Sequence, residues 1–129
     1  MPKAKPLISI IDDDESMREA IKGLMRSLGY RVEVVASAQE FLSSRLVRRT
    51  SCVIADMQMP GMTGLELYQR LSASGKPIPT ILITAYPDDG VRERAFSAGV
   101  VGYLSKPFEE DDLLACVRSA LMHARSGGR

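Results

Sequence analysis

Apolar residues recur along this chain in two alternating periods. Leu7-Ile-Ser-Ile-Ile11 is a short β-rich run that stops at the acids Asp12-Asp-Asp-Glu15. Met17, Ala20, Ile21, Leu24, Met25 and Leu28 then fall at helical spacing, and Gly29 stands where such a helix ends. Arg31-Val-Glu-Val-Val35 alternates as a half-exposed strand does. Ser37-Ala-Gln-Glu40 has the form of a capping box and predicts a helix through about Leu46. Ser51-Cys-Val-Ile-Ala55 is the next apolar run, ending at Asp56, and a loop follows through Met62. A second capping box, Thr63-Gly-Leu-Glu66, opens a helix to about Ala73. Thr80-Ile-Leu-Ile83 is an uncharged, largely apolar strand and ends at Thr84-Ala85. A weakly periodic helix is predicted over Asp88–Ala98, stopped by Gly99. A last strand is predicted over Val100–Leu104, and a last helix from Glu109 to about Ala124.

Five strands alternating with five helices require crossovers, so the strands run parallel with helices on both faces. The first, third and fourth strands lack polar alternation, as burial on both faces demands. Composition narrows the class. One domain fits 129 residues, with 45% of them hydrophobic. A formal net charge of +1 gives no whole-chain attraction to nucleic acid or anionic membrane. There is no Trp, and no apolar run approaches the roughly 20 residues that cross a bilayer. The basic start, Met1 to Pro6, does not make a secretory signal. Cys52 and Cys116 match no zinc or redox spacing and read as small buried hydrophobes. A cytoplasmic protein is the default.

Ligands of open α/β sheets bind beyond the carboxyl ends of the strands, where strand order reverses. Asp12 and Asp13 follow the first strand, Asp56 the third, Thr84 ends the fourth, and Ser105 and Lys106 follow the fifth. Three acids on one edge repel unless a cation joins them or one holds a proton. A hard divalent ion such as Mg²⁺ meets that need through oxygen ligands. Neither His nor Cys stands at these strand ends, which argues against zinc. Each residue alone has an ordinary structural reading, as turn, cap, hydroxyl or surface lysine; their joint placement is what points to a site.

The motifs Ile10-Ile-Asp-Asp-Asp14, Asp56-Met-Gln-Met-Pro-Gly-Met-Thr-Gly64, Ile83-Thr-Ala85 and Lys106-Pro-Phe108 stand in order across the chain. In these the sequence resembles the receiver domain of two-component response regulators, over about residues 6 to 124. The resemblance implies a flavodoxin-like (βα)5 fold, a parallel sheet of order 2-1-3-4-5 with helices on both faces. Residues 1–5 and 125–129 would be tails or the stub of a linker. The resemblance implies that Asp56 accepts a phosphoryl group, and that Asp12 and Asp13 hold Mg²⁺, with Asp13 favoured as the direct ligand. Gln58 would offer its backbone carbonyl to the metal, Thr84 would bond the phosphoryl group, and Lys106 would contact another of its oxygens. It also implies a cis bond before Pro107 and a switch role for Tyr103. The chain would catalyse only its own phosphorylation and dephosphorylation.

Phosphoryl transfer needs positioning and charge neutralisation more than covalent chemistry from the protein, which agrees with these residue types. The bulky Tyr86 is expected to restrict water and slow loss of the phosphoryl group. Met57, Met59 and Met62 read as loop and core packing, or as a kinase-docking surface. Implied partners are a sensor histidine kinase or phosphotransfer protein, and a homodimer through the fourth helix, fifth strand and fifth helix. Those elements carry Arg92, Arg94, Tyr103 and Arg118 beside Glu93, Asp111 and Asp112. No direct nucleic acid binding and no membrane are expected. The length leaves no room for an effector, so the chain reads as a stand-alone receiver or as one cut from a longer transcription factor. The sole His, His123, is not expected to be the phosphodonor. Two competing readings remain: a haloacid-dehalogenase-like phosphatase, against which Gln58 stands where a second acid belongs, and a flavodoxin-like flavin carrier, against which acids follow the first strand.

Overall fold

The computed structural model describes residues 5–127, and their side chains as far as Met122. His123, Ala124 and the Ser126-Gly-Gly-Arg129 end therefore fall wholly or in their side chains outside the described residues, as do residues 1–4 of the basic start. The elements run β1 (Leu7–Ile11), α1 (Glu15–Ser27), β2 (Arg31–Val35), α2 (Ala38–Leu42), α3 (Leu46–Arg49) and β3 (Cys52–Asp56). Then come α4 (Gly64–Ala73), β4 (Thr80–Thr84), α5 (Asp89–Ala98), β5 (Gly102–Ser105) and α6 (Glu110–Gly127). All five strands pair in parallel in the order β2-β1-β3-β4-β5, the order that the resemblance implies. Among the described residues no helix is long and apolar enough to cross a membrane.

The period-2 pattern of the strands divides the core in two. Ile8, Ile10, Cys52, Ile54, Ile81 and Ile83 face α1 and α6, meeting Ile21, Met25, Leu113 and Val117. Ile11, Val53, Ala55 and Leu82 face the other helices, meeting Phe41, Leu67, Leu71 and Ala95. Every residue of β1, β3 and β4 is buried, whereas β2, at the sheet edge, exposes Arg31 and Glu33. Fully burying a side chain such as Leu67 or Ile54 contributes about 1.5–3 kcal/mol, so the sheet is held from both faces. Cys116 departs from expectation: Cys52 is buried, but Cys116 is half-buried, and both are free.

The second crossover also departs from expectation. The helix predicted through Leu46 stops at Leu42 and restarts as α3, so this crossover carries two short helices where one was expected. Two serines explain the break. Ser43 Oγ donates to the Gln39 carbonyl at 3.1 Å and Ser44 Oγ to the Phe41 carbonyl at 2.7 Å. Ser44 Oγ then accepts the Leu46 N–H at 3.1 Å. Side chains that bond nearby backbone in this way compete with the helix ladder. The first capping box is also altered. Ser37 Oγ accepts the Glu40 N–H, but Glu40 reaches one residue further back, to the Ala36 N–H. The second box, Thr63 with Glu66, is complete.

Candidate functional site

Strand register assembles the site. β1 lies between β2 and β3, so the order reverses there, and Ile11 is paired with Ala55. Asp12 and Asp56, the next residues along, therefore leave adjacent strand ends together. Asp56 pairs with Ile83, and Thr84 with Ser105, which places Thr84 and Lys106 on the same edge. The chain bends away at Asp12 because its Oδ1 accepts the Asp14 N–H at 2.9 Å. Asp14 in turn caps α1 by accepting the Ser16 N–H. Beyond Asp56, Gly61 takes a positive φ of 86°. Gly64 starts α4 so close to β3 that a Cβ there would lie 2.7 Å from the Asp56 carbonyl oxygen and 2.8 Å from Leu82 Cδ2. Only glycine permits that approach.

The site residues expected from the sequence come together. One carboxylate oxygen each from Asp12, Asp13 and Asp56 can be chosen so that all lie within 4.8 Å of one another. Asp12 and Asp56 are buried, and Asp13 is exposed. The Lys106 ammonium sits between the two buried acids, 3.7 Å from Asp12 Oδ2 and 3.6 Å from Asp56 Oδ1. The Lys106–Pro107 bond is cis. Thr84 is fully buried. Its hydroxyl accepts the Tyr86 N–H and donates to Gln58 Oε1, both at 2.9 Å. The Gln58 N–H donates to Asp56 Oδ1 at 3.3 Å. Tyr103 is half-buried and its hydroxyl accepts the Asp88 N–H at 3.3 Å. Tyr86 is 74% exposed, so its ring covers little of the site. Met59 and Met62 are buried in the core and Met57 packs on it, which matches the packing reading.

Two contacts lie outside what the sequence suggested. Arg18 Nη1 donates to the Asp12 carbonyl at 2.7 Å, tying α1 to the turn that carries the acids. The Gln58 side chain holds the Thr84 hydroxyl, whereas only its backbone carbonyl was expected to matter. The Gln58–Thr84 pair has no local signal, since it spans 26 residues.

The electrostatics follow from burial and crowding. Burial pushes the Asp12 carboxyl up to about 6, with Asp56 and Asp13 adding to the rise and the Asp14 N–H and Lys106 opposing it. Asp56 is also raised, chiefly by burial, with Lys106 opposing. Three carboxylates against one ammonium leave two negative charges. One divalent cation cancels them, and an all-oxygen donor set suits a hard ion such as Mg²⁺.

Asp12 therefore makes stability depend on pH. The folded chain holds this proton to about pH 6, whereas the carboxyl releases it near 3.8 when unfolded. Between those values the folded state binds more protons, so stability falls as pH rises and stays reduced above the window. With divalent cations chelated, Asp12→Asn is expected to stabilise the chain by roughly 3 kcal/mol at pH 7.5, and by about half that at pH 5. Denaturant midpoints at the two pH values measure the gain. A variant less stable than the parent at pH 7.5, or a gain that ignores pH, would contradict this account.

Comparison with known proteins agrees with this geometry. A family model described as the response regulator receiver domain matches residues 8–118. The response regulator protein TmoT of Ectopseudomonas mendocina is 38% identical over 121 residues, which cover 94% of this chain and 55% of that protein. The transcriptional regulatory protein FixJ of Bradyrhizobium diazoefficiens is 36% identical over 122 residues, covering 95% of this chain and 60% of that protein. The crystal structure of FixJ-N superposes with a TM-score of 0.84 at 30% identity, over 94% of this chain and 97% of that one. The chain thus spans little more than half the length of these curated relatives.

Proposed function

We propose, from the premise that the chain belongs to the response regulator receiver domain family of two-component signalling, that Asp56 accepts a phosphoryl group. The observation that carries this reading is one Lys106 ammonium within 3.7 Å of both buried acids at the point where strand order reverses. The donor is a phosphohistidine on a sensor kinase or phosphotransfer protein. An Asp56 carboxylate oxygen attacks phosphorus in line, the P–N bond breaks, and an acyl phosphate forms while the imidazole leaves. Asp12, Asp13, Asp56 and the Gln58 carbonyl would hold Mg²⁺, which when bound supplies positive charge to the phosphoryl oxygens. Lys106 neutralises the charge that collects on another of them. Burial of Asp12 and Asp56 strengthens each of these interactions. The domain occupies about residues 6–124, catalyses only its own phosphorylation and dephosphorylation, and works in the cytoplasm.

The switch begins at Thr84. Its single O–H proton is donated to Gln58 in the present arrangement and to the phosphoryl group in the modified one. The same two-state element includes Tyr103, and the output surface is α5, β5 and α6. That face serves a homodimer contact, and in a longer chain it controls transcription. Gln58 opposes the switch by one neutral hydrogen bond, worth about 0.5–1.5 kcal/mol. Gln58→Ala is therefore expected to tighten beryllofluoride binding by roughly 2- to 12-fold. A titration in Mg²⁺ measures this, and unchanged or weaker binding would remove Gln58 from the switch.

Incubation with Mg²⁺ and acetyl phosphate tests the function itself. The chain is expected to gain the mass of one phosphoryl group, located on Asp56 by peptide mapping. A chain that stays unmodified, or that turns over an aryl phosphate continuously as a phosphatase would, overturns the reading.

A further inference from the structure

Acids are missing from one end of this fold, where several cations gather. No acid occurs from Phe41 to Ala55, nor from Leu67 to Pro87. The first stretch leads into the amino end of β3 and the second into the amino end of β4, and these strands are parallel neighbours. The fold therefore joins two acid-free segments at the end of the sheet away from Asp56. Between them lies a groove of about 540 Å³ whose lining includes Arg45, Arg48, Arg49 and Lys76 and no acid. All four cations are exposed, and among the described residues none of them forms an ion pair. Arg48 and Arg49 stand in the last turn of α3, where a helix dipole favours cations. That does not account for Arg45 before the helix or for Lys76 arriving from a distant loop.

We propose that this groove binds a small molecule carrying two or more adjacent phosphoryl groups. Guanidinium forks match phosphate oxygens in pairs, and like charges around one concavity repel until an anion enters. The Ser43 and Ser44 hydroxyls in the same lining already donate to carbonyls of α2, so the free donors are the charged groups. The volume falls within the roughly 300–1,000 Å³ of small-molecule sites. No aromatic side chain lines the groove, so it reads the phosphate chain and not a stacked base; Leu42 and Val47 offer apolar contact to whatever bears it. A concave site suits a compact polyanion better than the extended backbone of a duplex.

Calorimetric titration of the whole chain, in chelator, with inorganic tripolyphosphate and separately with ATP tests the proposal. One-to-one binding at least about 10-fold tighter than for orthophosphate is expected, since each further charge-assisted hydrogen bond adds that order of affinity. Amide shifts are expected to be confined to residues 42–49, 75 and 76. ATP and tripolyphosphate binding equally would make the phosphate chain the whole ligand, and tighter ATP would make it a nucleotide; both support the site. Combined Arg45→Gln, Arg48→Gln, Arg49→Gln and Lys76→Gln should weaken binding at least about 10-fold, and Arg92→Gln with Arg94→Gln should leave it unchanged. If the fourfold variant does not melt like the parent, Arg48→Gln with Lys76→Gln replaces it, with a smaller loss expected. Shifts spread over the surface, equal loss in the Arg92 and Arg94 pair, or displacement of tripolyphosphate by lower concentrations of a short DNA duplex would overturn the proposal.

Discussion

Asp56→Asn is expected to abolish phosphoryl acceptance, with modification by acetyl phosphate in Mg²⁺ falling by at least roughly 10³-fold. The side chain keeps its size, and its amide oxygen can still accept the Gln58 N–H that now reaches Asp56 Oδ1. The fold should therefore survive, and removing a buried charge crowded by Asp12 and Asp13 should favour it. What disappears is the negative oxygen that attacks phosphorus. Asp88→Asn is the matched control. Asp88 caps α5 by accepting the Val91 N–H at 3.0 Å, and Asn caps a helix about as well as Asp. Intact-mass measurement on both variants reads the outcome. Equal labelling of the two would mean that phosphate lands elsewhere, and equal loss would mean that the substitution acts through the fold.

Lys106→Gln is expected to slow acceptance by roughly 10²–10³-fold, the usual effect of removing one preorganised group that stabilises transition-state charge. Lys106 touches both buried acids, so two consequences accompany the slower rate. Its charge now opposes the upward shift of Asp12 and of Asp56. Without it both carboxyls rise further, and a carboxyl must be ionised to attack phosphorus or to hold a cation. The acid limb of the rate profile is therefore expected to move to higher pH in the variant. Initial rates of labelling between pH 5.5 and 8.5 measure both effects. A rate within about threefold of the parent, with an unmoved acid limb, would leave Lys106 as a structural counter-charge only.

Much of this site was legible before any coordinates. β1, β3 and β4 are mostly apolar runs without regular polar alternation, and that lack of alternation is a local property of the sequence. The residue that ends or follows each run then lies at a carboxyl strand end by construction. Asp12, Asp56 and Thr84 could be placed on one edge for that reason alone, and Lys106 joins them by following the fifth predicted strand. The N-caps Ser37 and Thr63 were equally local, because each bonds an amide three residues ahead. The second crossover misled because Leu46 follows Leu42 at the helical i+4 spacing across Ser43 and Ser44. The competing hydroxyl bonds that end α2 leave no mark in hydrophobic periodicity.

The sequence by itself determined the fold class, the position of each strand and the residue types that converge at the strand ends, since all of these follow from short-range periodicity. Tertiary structure alone decided how those residues are engaged. Only the folded chain places Gln58 Oε1 on the Thr84 hydroxyl and Arg18 on the Asp12 carbonyl. Only it sets Lys76 beside Arg45, Arg48 and Arg49, turning scattered surface charge into one groove. Hydrogen bonds and charges act over a few ångströms of space whatever their separation along the chain, and parallel strand pairing sets those distances.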